Sequence, residues 1–325
     1  MSSVISPSAI STSTILASAK STTTGNPSTW STFIYKFFKT GLIFGTSVIV
    51  VSLLAIYKFQ SRIIYPASLN DGHGIVDTPD KYGMPEYEAV DLNTADGETL
   101  KAYVLLHDPN APNYSNKTVL ILCPNAGNMG HFLPVVSIIY NSMNYNVIIY
   151  SYRGYGKSTG SPSEKGLKID ADAVMEYISG NKQLSSSSLI LYGRSLGGAV
   201  GIYIASKYSN MVSAVILENT FLGIRKVIPH IFPYLSPFKI LCHQIWDSES
   251  AMAKIPSNIP VCFFSALQDE IVPPAHMKKL YDISKSDAKE WHSYPNATHN
   301  DTIVQPRYFN IFQNFIQSKV NPIGL

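Results

Sequence analysis

The sequence predicts a doubly wound α/β domain with a mostly parallel sheet and a small lid insertion, preceded by one transmembrane helix. Three observations predict it. From about residue 86, short apolar runs alternate with stretches of helical spacing. Continuous apolar runs mark strands covered on both faces, and strand–helix alternation implies parallel pairing through right-handed crossovers. One long insertion breaks that rhythm, and one uncharged apolar run precedes it all.

Residues 1–32 are dominated by Ser and Thr, too poor in large apolar side chains to offset the entropy of ordering, so we expect a disordered tail. From Gly41 to Tyr57 no residue is charged, and Lys36, Lys39, Lys58 and Arg62 flank the run. Seventeen residues are at the short end of a bilayer span, and flanking aromatics and snorkelling lysines extend the reach. A cleaved signal peptide fits less well, because no small-residue cleavage site follows the run. We place the anchor at residues 33–59, a linker at 60–85 and the α/β domain at 86–320. Lysines flank the run on both sides, so they do not orient it. The sequons at Asn113 and Asn116, in a polar stretch that reads as a surface loop, point to a lumenal domain, in the endoplasmic reticulum, the secretory pathway or the vacuolar membrane; those at Asn296 and Asn300 fit the pattern too but flank His299, a candidate catalytic residue.

Along the domain, Tyr87–Leu92 and Thr99–Leu106 read as an antiparallel opening pair. Val119–Leu122, Val147–Tyr150, Leu189–Tyr192, Val212–Leu217 and Pro260–Phe264 read as buried strands, and Trp291–Tyr294 as the last strand. Helical spacing falls near 131–141, 163–179, 199–207, 275–283 and 307–317. The stretch 221–255, rich in Phe, Tyr, Ile and Pro, is too long for an ordinary connection and reads as a lid.

Composition excludes several classes. The net charge is only +3, and no basic run interleaves with aromatics, so no nucleic-acid partner is expected. Cys123, Cys242 and Cys262 form neither a disulfide framework nor a zinc pattern. Gly156-Lys157-Ser158 resembles the end of a phosphate-binding loop, but the required first glycine is Ser151. No metal or cofactor is expected, and the oligomeric state is left open.

The chemistry converges on Gly193-Arg194-Ser195-Leu196-Gly197, where a buried strand hands over to a helix. That context makes the pattern a nucleophile elbow, with Ser195 projecting above the sheet and the Leu196 amide facing a developing oxyanion. It points to the α/β-hydrolase fold, whose triad runs Ser, acid, His along the chain. Asp269 ends a later strand and is the favoured acid; Glu218 is the alternative, or else an ion-pair partner for Arg194. His299, in the loop after the last strand, is the favoured base over His276 and His292. Asn300 and Asp301 are read as ordering that loop. The second oxyanion donor should follow the strand Val119–Leu122; Pro124 has no N–H, so the donor is the Asn125 amide, with Ala126 in reserve.

Several segments together resemble one family: Ile63-Ile64-Tyr65-Pro66, Asn125-Ala126-Gly127-Asn128, Tyr152-Arg153-Gly154-Tyr155-Gly156-Lys157-Ser158, the elbow with Gly198-Ala199-Val200, Glu218-Asn219-Thr220-Phe221 and Thr298-His299-Asn300-Asp301-Thr302. They are similar to the bud-emergence-suppressor type of fungal α/β-hydrolase and its animal counterpart, alpha/beta-hydrolase domain-containing protein thirteen. The resemblance covers roughly residues 58–318. It implies a single-pass type II membrane hydrolase and carries the triad onto Ser195, Asp269 and His299. It also implies His-Gly where this chain has Cys123-Pro124. The expected function is hydrolysis of acyl esters or thioesters, lipid-like or lipidated, at a bilayer surface. The rival, favoured only by Cys123-Pro124, is a catalytically impaired scaffold that keeps the fold.

Overall fold

The structure is a computed structural model that describes residues 27–69 and 72–320. The chain divides into two compact units, residues 1–56 and 57–325. The first is described by one helix, α1 (Pro27–Ile64), which continues into the second. Pro66 disfavours helix at the residue before it, so the C-terminal end is set locally. At about 1.5 Å per residue, 38 residues extend roughly 57 Å, well beyond a hydrocarbon core of about 30 Å. The helix is long and apolar enough to cross a membrane. It exceeds the expected anchor (33–59) at both ends. Of the expected disordered tail, residues 1–26 lie outside the described residues, whereas 27–32 are helical.

The second unit holds an eight-stranded sheet. Its first strands are β1 (Glu88–Asn93), β2 (Thr99–Leu105) and β3 (Lys117–Leu122), followed by α2 (Leu133–Ser137) and β4 (Asn146–Tyr150). Next come α3 (Glu164–Gly180), α4 (Lys182–Ser185), β5 (Ser188–Arg194), α5 (Leu196–Lys207) and β6 (Val212–Glu218). The remainder is α6 (Ile224–Ile231), α7 (Ser248–Met252), β7 (Val261–Ala266), α8 (Pro274–Ile283), β8 (Lys289–Tyr294) and α9 (Tyr308–Lys319). The spatial order is β1-β2-β4-β3-β5-β6-β7-β8. Pairings of β2 with β1 and β4 are antiparallel, and the others are parallel.

Every residue of β4 and β7 is buried, whereas β1 and β8 are largely open, as befits central and edge strands. The order reverses around β3: the chain moves from β3 outward to β4, then back past β3 to β5. Ligands of open α/β sheets bind at such a switch, beyond the strands' carboxyl ends. Ser195 follows β5 and Asn125 follows β3, so the fold alone brings them together.

Two expectations need correction in detail. The helix expected over 131–141 is a 3₁₀ turn (Met129–Phe132), a short α2 and a π turn (Ile138–Ser142). Segment 60–85 is no bare linker, because Tyr65, Ala67 and Met84 are buried in the core. Tyr65 donates its hydroxyl to Gln244 Oε1 (3.0 Å) and accepts from Trp246 Nε1 (2.8 Å). The 221–255 stretch includes α6, a 3₁₀ segment (Pro233–Leu241) and α7.

The Tyr152–Ser158 segment is a turn, as expected, with Gly154 and Gly156 at φ 74° and 56°. Its Arg153 is clamped by Asp170 (Nε–Oδ1, 2.7 Å) and by both oxygens of Asp96 (2.7 and 2.9 Å). That is a structural ion triplet rather than a phosphate site.

Candidate active site

Ser195 has φ 53° and ψ −116°, a conformation that side-chain-bearing residues rarely adopt. The surroundings over-determine it. Its amide donates to Glu218 O (2.8 Å), and Thr220 Oγ1 donates to its carbonyl (2.7 Å). A β-carbon on Gly193 would lie 2.3 Å from Gly197 O, and one on Gly197 would lie 1.9 Å from Leu122 O. Both glycines are therefore required by close backbone approach, which lets the strand turn into α5 within one residue.

The structure brings Ser195, His299 and Asp269 together. His299 Nε2 lies 3.1 Å from Ser195 Oγ, and His299 Nδ1 lies 2.7 Å from Asp269 Oδ2. All three are buried. Asp269 Oδ1 accepts the amides of Ile271 (2.9 Å) and Val272 (2.7 Å), which leaves Oδ2 for the imidazole. A base within hydrogen-bond reach of a hydroxyl and oriented by a carboxylate is the geometry of an activated nucleophile.

The loop carrying His299 is braced by Arg194, Asn219 and Glu270, whose roles here the sequence did not reveal, and by residues of the loop itself. Arg194 Nη2 donates to His299 O (2.9 Å) and Asn300 Oδ1 (2.7 Å). Asn219, at φ 46°, donates to His299 O (3.2 Å) and Thr302 Oγ1 (2.8 Å) while accepting from the Ala266 amide (2.8 Å). Glu270 accepts the His299 amide (3.1 Å). Asp301 accepts the Thr298 amide (2.6 Å), the loop-ordering role expected of it.

Glu218, the alternative acid, sits elsewhere. It is fully buried, accepts hydroxyls from Tyr192 (2.7 Å) and Tyr308 (2.6 Å), and lies 3.4 Å from Arg194 Nε as an ion pair. His292 is on β8, 3.2 Å from Glu290. His276 is buried in α8, and its Nδ1 has no hydrogen-bond partner among the described residues. Burial, with Lys226 and His230 adding to it, pulls its pKa down to about 4 from the usual 6.5.

The folded state thus holds His276 neutral, while the unfolded chain protonates it near pH 6.5. The resulting stability is complete above pH 6.5 and is lost as pH falls toward 4, on the order of 3 kcal/mol at most. His276→Gln should flatten the dependence of unfolding free energy on pH across that window, read by urea denaturation at several pH values. An unchanged slope would remove His276 as its cause.

Leu196 is the first residue of α5 and has no intrahelical partner for its N–H, and the Asn125 amide donates to no partner among the described residues. The loop around Pro124 is pinned on both sides: Tyr152 donates to Cys123 O and Tyr155 to Asn125 O, each at 2.9 Å. The Asn125 side chain donates to Ile64 O (3.1 Å). Burial pushes the Cys123 thiol up to about 12, so it stays protonated. Asn125, Leu196, Ser195 and His299 open on a cavity of about 490 Å³ whose other walls include Ile64, Phe221, Ile224, Val227 and Ile231.

One set could approach a metal ion: ligand atoms of Cys262, Glu290 and His292 lie within 4.8 Å of one another. They come from neighbouring strands, so spacing along the chain could not reveal them. Burial raises the Cys262 thiol, and Lys319 lies 3.6 Å from Glu290. The set lies away from the Ser195 cavity.

Sheet order, elbow and strand-end cavity together define an α/β hydrolase. Residues 118–236 match the family described as alpha/beta hydrolase fold. The chain is 48% identical to the uncharacterized membrane protein YNL320W of Saccharomyces cerevisiae, over 88% of this chain and 98% of that protein. It is 41% identical to protein bem46 of Schizosaccharomyces pombe, over 88% and 95% respectively. The chain belongs to the bem46-type α/β-hydrolase family. Among solved structures, the Pyrococcus furiosus esterase Pf2001 matches with a TM-score of 0.62 at 20% identity, covering 76% of this chain and 96% of that one. That likeness shows the fold alone.

Proposed function

We propose that this protein is a membrane-anchored serine hydrolase that cleaves acyl esters or thioesters through an acyl-enzyme on Ser195. The observation that carries this reading is the Ser195–His299–Asp269 relay, with separations of 3.1 and 2.7 Å, opening on an apolar cavity. Ser195 Oγ attacks the acyl carbonyl carbon while His299 Nε2 takes its proton. The oxyanion is met by the amides of Leu196 and Asn125. Collapse expels the alcohol or thiol, which receives that proton from His299. Water, deprotonated by His299, then releases the acid and restores Ser195.

The apolar walls suit an acyl chain, and the 221–255 stretch is read as the lid over it. Residues 41–57 are read as the bilayer span of a type II protein, with the domain that follows on the lumenal side. Asn113 is exposed there, whereas the Asn116 amide is committed to Ser186 O (2.8 Å). Asn113 is accordingly the better glycan acceptor.

Cys123-Pro124 favours the second reading, a scaffold with an impaired oxyanion hole. The test is acid quenching during turnover of a p-nitrophenyl ester by the full chain in detergent, followed by mass spectrometry. An acyl adduct on the Ser195 peptide is expected. Turnover with no adduct in the pre-steady state would overturn the mechanism. Activity appearing only in Pro124→Gly would favour the scaffold.

A further inference from the structure

From Ile231 to Ile245 the surface carries a concentration of exposed apolar side chains, with Tyr234 94% and Ile240 68% exposed and Phe232, Phe238 and Leu241 also open. No acidic residue occurs between Asn219 and Trp246, whereas Arg225, Lys226 and Lys239 do. Lys226 is paired with Glu249, Arg225 donates to the Ile240 and Cys242 carbonyls, and the Ile245 amide donates to Glu164, so what this surface offers a bilayer interface is its exposed apolar side chains.

The position of this patch follows from residues 57–64. Gln60 Nε2 donates to Leu241 O (3.3 Å), the His243 amide donates to Gln60 Oε1 (2.8 Å), and the Tyr57 and His243 rings meet at 5.2 Å. Gln60 lies three residues past Tyr57, the end of the uncharged run, or about 5 Å along the helix. The headgroup layer is itself roughly 5–7 Å deep on each side. Residues 241–243 are therefore tied, through Gln60, to the chain just past the end of the uncharged run. Ile231 and Phe232 of the same patch line the cavity over Ser195, as do Ile63 and Ile64 just past Gln60.

We propose that residues 231–245 form a second membrane contact, and that the cavity takes its substrate from the leaflet beneath: an ester lipid whose acyl chain enters along the Ile63–Ile231 side. This rests on the anchored-hydrolase reading and extends it to substrate class and route.

The test uses the full chain in vesicles of phosphatidylcholine. Nitroxides are placed at Tyr234→Cys and Ile240→Cys, with Lys285→Cys, exposed ahead of β8 at the opposite end of the sheet, as reference. Native cysteines are buried and should not compete for label. Collision with oxygen relative to a water-soluble nickel chelate should be several-fold higher at 234 and 240 than at 285. Equal ratios would overturn the contact, and they report immersion whether or not Ser195 is active. Ile240→Glu should lower turnover of a vesicle-embedded diacyl ester by roughly ten-fold, with turnover of a soluble short-chain ester unchanged. Equal losses on both substrates would overturn the lipid-phase route.

Discussion

Ser195→Ala is expected to abolish labelling by a fluorophosphonate probe and to lower ester turnover by about 10⁶-fold. The substitution removes Oγ, the atom 3.1 Å from His299 Nε2, and nothing else of the turn. Alanine and serine are strained alike at positive φ, and the bonds that hold the turn, from Ser195 N to Glu218 O and from Thr220 Oγ1 to Ser195 O, use backbone atoms of residue 195. The melting temperature should therefore change by only a few degrees. A mutant that labels as strongly as the parent would sink the assignment.

Asp269→Asn is the second large effect, about 10⁴-fold in turnover. The reason lies in which oxygen does what. Oδ1 accepts two backbone amides, from Ile271 and Val272, so an asparagine must leave its carbonyl oxygen there. Its NH₂ then faces His299 Nδ1, which Oδ2 now meets at 2.7 Å. Only a deprotonated Nδ1 can accept from it, which places the ring proton on Nε2, facing Ser195. The imidazole is still present but is the wrong tautomer for a base. Single-turnover kinetics with an activated ester would read the loss in acylation; a loss below about ten-fold would mean that Asp269 does not orient the ring.

Much of this arrangement was legible in the sequence. The buried strand before Gly193 and the helix after it turned a short pattern into an elbow, and chain order narrowed the acid and base. Asp269 and Glu218 both end strands, and only the side-chain surroundings separate them: amides and an imidazole around one, tyrosine hydroxyls around the other. The braces were not legible. Arg194 and Asn219 reach His299 O from 105 and 80 residues away respectively, through single hydrogen bonds that leave no periodic trace. Tyr65 was lost in an apparent linker for the same reason: its partners Gln244 and Trp246 lie far along the chain. The extent of α1 escaped because polar residues flank the apolar run, and its C-terminal end is set by Pro66 rather than by hydrophobicity.

The Tyr65 contacts also fix where the chain can be cut. A protease or an engineered start just after Ile64 would remove Gln60 and expose Tyr65 as a frayed terminus. The His243 amide, the Leu241 carbonyl and the Ile64 carbonyl that holds Asn125 would lose their partners together or vanish with the fragment. A shed form that keeps its fold must carry the last two turns of the helix, beginning near Tyr57. The stretch that leaves the bilayer is thus also the first stretch of the enzyme, and a soluble species severed at the helix end would surrender part of its active-site wall.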